Sequence, residues 1–360
     1  MNLRLRSDVP IAFCLSGGID SSSLAAITSV SLNKKIHTFS VIDSDPRYNE
    51  KKEIEEITNH LGCQYTLIES NTVNFIERIE KIINYYQAPI PTISYYVHNL
   101  LSEKIKENGF KVAISGTGAD EIFTGYYDHY SFWLKEMQEE ENFKQLLKDR
   151  DSGYAKYVTN PLLKDPFKII NNENFRDHLN EGAGSFNDLL KKKINYTFHE
   201  EFFSDDVLRN RMLNELLHEI VPVILFSDDL NSMMYSVENR SPFLDSCLVE
   251  FLYSVPTKYL IRDGFQKIIL RNSVKGMLPD SILFNKKKVG FNASIKSLFD
   301  YKLPKNRDWL MSDHIIFDII DREKFEKFLD KDYTKNYLSK FLFNFISSKI
   351  FLSNYKSTLN

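Results

Sequence analysis

The sequence predicts an α/β fold: a doubly wound parallel sheet followed by a mainly helical C-terminal part. Three observations predict it. Short apolar runs of strand length alternate with amphipathic stretches through the first third of the chain. Glycine-rich turns follow the first and the fourth of those runs. From Asp205 onward the chain reads as all-helical. Strands alternating with helices imply a parallel sheet with crossover connections, and ligands of such sheets bind beyond the carboxyl ends of the strands.

Taken in order, Ile11–Leu15 is the first strand. It runs into Ser16-Gly17-Gly18, then Asp20 and the serines Ser21, Ser22 and Ser23, with the helix-like LAAITSVSL behind them. Ile36–Val41 is a second strand, closed by the turn residues Asp43-Ser44-Asp45-Pro46. Asn49–Leu61 carries Ile54, Ile57 and Leu61 on one helical face and stops at Gly62. Gln64–Ile68 is a third strand. Thr72–Tyr86 is an amphipathic helix, Gln87–Thr92 a proline-broken loop, and Ser94–Lys106 a further helix. Lys111–Ser115 is the fourth strand, opening into Ser115-Gly116-Thr117-Gly118-Ala119-Asp120-Glu121.

The first loop suits a phosphate. Its glycines let backbone approach an anion without a Cβ in the way, and a helix start offers unpaired N–H groups. Asp20 would repel phosphate unless Mg²⁺, which takes carboxylate and phosphate oxygens together, lies between them. The loop is neither a Walker A motif nor GxGxxG. For Asp120 and Glu121 two readings stand: carboxylates favouring the dipole of the next helix, or metal binding beside the phosphate loop.

Composition narrows the classes. At 360 residues the prior is about two domains. Apolar residues make up 42% of the chain, enough for a core, and a net charge of −3 argues against a general nucleic-acid binder. Cys14, Cys63 and Cys247 form neither CxxC nor a disulfide framework, which fits a reducing cytoplasm. No apolar run approaches the ~18 residues of a membrane span. The run after Arg4 and Arg6 is too short for a signal-peptide core. The eight histidines show no transition-metal pattern.

Residues 131–200 are charged and rich in Asn and Lys, broken at Gly182-Ala183-Gly184, with Lys191–Lys193 as a solvated face. Asp228–Asp245 (DDLNSMMYSVENRSPFLD) is unusually polar for a helix-rich core. Lys267 and Arg271 fall one turn apart on a helix face. Lys286–Lys288 precede Val289-Gly290-Phe291. Each basic cluster alone reads as surface before it reads as site.

SGGIDSS resembles the pyrophosphate-binding SGGxDS loop of the ATP pyrophosphatase superfamily. With SGTGADEIFTGYY, SVENRSPFLD, the Arg262–Leu270 segment and KKKVGF, in that order, the chain resembles the synthetase domain of the asparagine synthetase family. The likeness covers about 10–130 and 205–295. It implies a nucleotide-binding core over 1–130, a variable helical insertion over 131–204, and a helical part over 205–360 that completes the site.

It also implies a mechanism in which a carboxylate, by default L-aspartate, attacks the α-phosphorus of Mg·ATP and ammonia then displaces AMP. By motif position, Ser16, Gly17, Gly18, Asp20, Ser21 and Ser22 would hold pyrophosphate. Cys14, Leu15, Ser115, Gly116 and backbone near Val41 would contact the nucleotide. Asp20 and Asp120 would bind Mg²⁺. Lys267, Asp120, Glu121 and Thr117 fall on the catalytic side, with Lys267 stabilising charge on the phosphates. Arg240 and Asp245 either shape the acceptor side or form an ion-pair network.

Three departures from the family pattern matter. Asn2 stands where full-length members carry a nucleophilic cysteine, and only ten residues precede the loop strand. No glutaminase domain is therefore expected in this chain: either it is a fragment or shortened gene product, or a separate glutaminase subunit supplies ammonia, or ammonia is used free. Thr117 stands where asparagine synthetases usually carry a carboxylate that handles ammonia, and threonine is no base near neutral pH. Thr124 replaces a glycine. The Thr117 loop and ENRSPFLD also resemble relatives thought to amidate sugar uronic acids of surface polysaccharides.

Candidate partners are a small-molecule carboxylate, ammonia, a glutaminase subunit and a second copy of the chain, with no nucleic acid or membrane. A nucleotide-binding subunit without activity of its own is a competing class. A tRNA-thiolating enzyme is disfavoured by the scattered cysteines and slight acidity.

Overall fold

A computed structural model of the protein describes residues 1–70, 74–180, 186–195, 197–287, 289–330 and 336–358. Thr72 and Val73, Gly182–Gly184 and Lys288, all invoked above, lie outside the described residues. The chain builds one five-stranded sheet in the order β3-β2-β1-β4-β5, parallel at every pairing. The strands are β1 (Ile11–Cys14), β2 (His37–Ile42), β3 (Gln64–Glu69), β4 (Val112–Ile114) and β5 (Glu238–Arg240). Between them run the helices α1 (Ile19–Ala26), α2 (Lys51–Leu61), α3 (Phe75–Tyr86) and α4 (Ile93–Glu107); α5 (Ala119–Phe123) and α6 (Tyr127–Glu136) follow β4. The elements expected through Ser115 are all present, their ends shifted by up to three residues. The one exception is the helix through LAAITSVSL, whose last turn, Ile27–Ser31, is wound as π-helix.

The two-residue period of the strands sorts the core. Phe13 and Ile114 face α1 and α2, whose Leu24, Ile54 and Ile57 are buried with them. Ala12 and Ala113 face the other way, onto Leu101 and Ile105 of α4. A sheet covered on both faces is what a doubly wound fold requires.

The segment after Asp205 is mainly helical but not wholly so. β5 interrupts it, extending the sheet beside β4 in the register Val112↔Glu238 and Ile114↔Arg240. Its three polar residues show no apolar alternation, because an edge strand of this length buries little. The helices around it complete the sheet's own core: Phe243, Leu252, Leu270 and Val274 pack with Phe13 and Ile114. Farther along, Phe343 and Ile346 of the long helix Asn336–Thr358 cover Phe75, Ile79 and Tyr96 of α3 and α4. Among the described residues, no helix is long and apolar enough to cross a membrane.

β1 lies between β2 and β4, so the chain leaves it in one direction and returns on its other side. That crossover point brings the two glycine loops together. A Cβ on Gly116 would come within 3.2 Å of the Ser21 nitrogen, which leaves the two loops in contact at the mouth of the sheet.

Candidate active site

A cavity of about 670 Å³ opens over the carboxyl ends of β1 and β4. Its floor is the first loop. The Ser21 hydroxyl accepts from the Ser16 N–H at 3.0 Å and lies 3.0 Å from the Ser16 hydroxyl, and Ser16 in turn accepts from the Gly18 N–H at 3.3 Å. The loop is thus tied to the start of α1 through its own serines. Gly17 has no room for a side chain: a Cβ would sit 2.7 Å from the Glu53 Cβ. Cys14, Leu15, Ser16, Gly17, Gly18, Asp20 and Ser21 all line the cavity. Burial and the nearby Asp228 charge push the Cys14 thiol up to about 12, so it stays neutral.

The Ser22 hydroxyl donates to the Gly18 carbonyl at 2.6 Å, and the residue is buried in α1 and is not among those lining the cavity. Val41, near the carboxyl end of β2, is likewise not among the lining residues.

Above the loop, Lys267 Nζ lies 2.5 Å from an oxygen of Asp20 and 2.5 Å from an oxygen of Asp120. Burial alone would push this lysine down; the carboxylates of Asp120 and Asp20 outweigh it and hold the ammonium above its ordinary value. Asp120 is seated by Gly125, where a Cβ would fall 1.7 Å from the Asp120 Oδ1. Lys267 precedes the helix Ile268–Ser273 rather than lying within it, with φ +56°, while Arg271 donates its N–H to the Lys267 carbonyl at 2.9 Å. Thr124 also takes a left-handed φ of +64°, the conformation a glycine would adopt without strain, and its hydroxyl accepts from the Lys267 N–H at 3.5 Å.

Asp120 and Glu121 both stand in the first turn of α5, so the dipole reading also fits. They part beyond that. Glu121 accepts from the Tyr126 hydroxyl at 2.6 Å, and burial, with Asp120's charge adding to it, pushes its carboxyl up to about 7.

Ser115, Gly116 and Thr117 line the cavity. The Thr117 hydroxyl lies 3.2 Å from that of Ser115 and donates to Asp228 Oδ2 at 3.3 Å. Asp228 belongs to the helix Val221–Met233 and is also paired with His98 Nδ1. Glu50, just before α2, accepts from the Gly17 N–H, and burial pushes its carboxyl up to about 7. Asp228, His98, Glu50 and Glu53 line the same cavity, and none was singled out from the sequence. The polarity of Asp228–Asp245 was the one available signal.

Arg240 and Asp245 lie elsewhere. Arg240 donates to the carbonyls of Arg4 at 2.8 Å and Arg6 at 2.9 Å, and Asp245 pairs with Arg4 at 3.0 Å. They lash the N-terminal lead-in to β5 and to the start of the helix Ser246–Ser254; neither lines the cavity. Lys286 and Lys287 do line it, with Val289, Gly290 and Phe291.

The residues present fit a hard divalent cation. The oxygens of Asp20 and Asp120 converge on one cation-sized position now taken by an ammonium, and the donors are oxygens. The first loop, whose Ser16, Gly17 and Gly18 N–H groups are satisfied by Ser21, Glu50 and Ser16, lines the same cavity.

The protein-family model for asparagine synthase matches residues 1–348. Asparagine synthetase [glutamine-hydrolyzing] 1 of Bacillus subtilis (strain 168) is 26% identical over 364 residues, covering 92% of this chain and 52% of the relative. Amidase chyE of Penicillium rubens is 27% identical over 336 residues, covering 80% and 50%. Asparagine synthetase B of Escherichia coli (strain K12) is 34% identical over 152 residues, covering 38% and 27%. The chain spans about half the length of the first two of these relatives. With a five-stranded parallel sheet and a model match over nearly its whole length, the chain belongs to the asparagine synthase family.

Proposed function

We propose that this chain is an AMP-forming amide ligase that activates a carboxylate with ATP and passes the acyl group to ammonia. The observation that carries the reading is Lys267 held between Asp20 and Asp120, directly over the Ser16–Gly18 loop. In this reading the loop binds the β- and γ-phosphates, its N–H groups and the hydroxyls of Ser16 and Ser21 exchanging their present partners, Glu50 among them, for phosphate oxygens. Lys267 meets the α-phosphate as a carboxylate oxygen attacks phosphorus and the bond to pyrophosphate breaks, its charge offsetting what develops there. Mg²⁺, when held by Asp20 and Asp120, would neutralise the phosphate oxygens. Ammonia then forms the C–N bond, and AMP leaves with the electron pair of the acyl–oxygen bond.

L-Aspartate is the default acceptor. A sugar uronic acid is the alternative, favoured by threonine at position 117. Ammonia is proposed to come from a separate glutaminase subunit or to be taken up free. The reaction is placed in the cytoplasm, consistent with three unpaired thiols.

The test is pyrophosphate release from Mg·ATP and ammonium chloride, with L-aspartate set against UDP-linked uronic acids and Asp20→Asn as the blank. Acceptor-dependent release supports the reading and names the acceptor class. Silence with every acceptor, but tight ATP binding and turnover on adding a glutaminase, supports the partner-dependent subunit.

A further inference from the structure

Amide formation from an activated acyl group leaves a proton on the nitrogen, and a threonine at position 117 cannot keep it. Six acidic side chains line the cavity: Asp20, Glu50, Glu53, Asp120, Glu121 and Asp228. Asp20 and Asp120 hold Lys267. Glu50 faces the Gly17 N–H, with Glu53 beside it against the same glycine. Glu121 is bonded to Tyr126. Asp228 stands apart from these, beyond the second loop, and its two oxygens have different partners: His98 on one, the Thr117 hydroxyl on the other.

We propose that Asp228 takes the proton from the attacking nitrogen through the Thr117 hydroxyl, with His98 as the residue that positions it. The proposal rests on the ligase reading above. As the nitrogen lone pair forms the C–N bond and AMP leaves with the acyl–oxygen pair, one N–H proton passes to Thr117 Oγ1. The hydroxyl's own proton passes to Asp228 Oδ2, 3.3 Å away. Threonine is unchanged by the exchange, and the released proton ends on a carboxylate.

The surroundings suit that role. Asp228 is 3% exposed, yet it lines the cavity. The titratable groups that face it are Cys14 from β1, Tyr86 from α3, and Tyr95 and His98 from α4. Burial, with the Asp228 charge adding to it, pushes Cys14, Tyr86 and Tyr95 upward, so none of the three ionises beside it. The Tyr86 hydroxyl is turned to the Ser227 carbonyl at 2.8 Å. His98 is therefore the group left to orient the carboxylate. Its ring is fixed edge-on by Phe291, with centroids 4.6 Å apart, and it is partly open to the cavity, which gives the proton a way out.

The experiment separates the two half-reactions in Asp228→Asn and in Thr117→Val, which keeps the threonine shape. Acceptor-dependent ATP–pyrophosphate exchange, with L-aspartate and UDP-glucuronate as probes, reads activation. Amide formed from ammonium chloride reads transfer. Hydroxamate formed from hydroxylamine, largely unprotonated at neutral pH, reads transfer that needs less help from a base. In both variants amide formation from ammonium is expected to fall by about a hundredfold more than exchange or hydroxamate formation does. Adding Thr117→Glu to Asp228→Asn should restore part of the ammonium rate. Exchange falling in step with amide formation, or ammonium and hydroxylamine falling together, overturns the role of Asp228 and leaves the ligase reading standing. No exchange in the parent with either probe overturns both.

Discussion

The tightest constraint in the site falls on Gly125. A methyl group there would lie 1.7 Å from Asp120 Oδ1 and 2.5 Å from its carboxyl carbon, so alanine must push the carboxylate aside. Displacing a catalytic group by about 1 Å can cost a hundredfold in rate. Gly125→Ala should therefore lower kcat by about that factor while the protein stays folded, which the far-ultraviolet circular dichroism of the same sample would verify. An unchanged kcat would mean that Asp120 tolerates another position and is not held for metal or phosphate. Asp20, Asp120 and Lys267, which the structure brings together, could be singled out in the sequence because each sits within a contiguous motif. Asp228, His98 and Glu50 were not, because what brings them to the cavity is the approach of separate helices to the two glycine loops: Glu50 at Gly17, Asp228 with His98 at Thr117.

At the scale of elements, α2 and β5 make opposite points. The start of α2 was readable from its apolar period, yet its chemistry comes from what it packs against. Glu50 is driven into the Gly17 loop, and burial raises its carboxyl from 4.5 to about 7. A raised carboxyl is neutral longer in the folded chain than in the unfolded one. Its contribution to stability is full below 4.5, drains away as pH rises to about 7, and is level above that. Glu50→Gln cannot ionise, so relative to the parent it should gain about 1–3 kcal/mol between the acid and the alkaline side of that window. Urea titrations of both proteins across it would measure the difference. A constant gap at every pH would remove the shift. Glu121 moves the same way, but it sits against Asp120, which makes Glu50 the cleaner probe. β5 was not readable at all, since three polar residues at a sheet edge carry no periodic signal. Its Arg240 binds the carbonyls of Arg4 and Arg6. Arg240→Ala should cost about 1–3 kcal/mol of stability and leave KM for the acceptor unchanged. A raised KM would return Arg240 to the acceptor side.

Taken whole, the molecule builds its site from nearly every part of its length: the loop from 16–21, the carboxylate from Asp120, the helix with Asp228, Lys267, and wall residues as late as Lys340. The cores interlock in the same way. One face of the sheet is completed by Phe243, Leu252 and Leu270, and α3 and α4 are covered by the C-terminal helix. Neither the sheet nor its C-terminal cover buries its apolar surface alone, so the two should unfold together. The two tryptophans make this testable. Trp133 lies in the α6 core, where its Nε1–H donates to the Thr257 carbonyl at 3.0 Å, and Trp309 packs against Phe299 in the C-terminal core. Trp133→Phe leaves a reporter in one region and Trp309→Phe a reporter in the other. Removing Trp133 also removes a hydrogen bond, so each variant must be compared with itself: its fluorescence melt against its own far-ultraviolet melt. The interlocked cores predict that the two coincide in both variants, as a single cooperative transition requires. A fluorescence midpoint well below the far-ultraviolet one in Trp133→Phe alone would mean that the C-terminal cover lifts first. The walls contributed by Phe291 and Lys340 would then be late additions to a site already formed on the sheet.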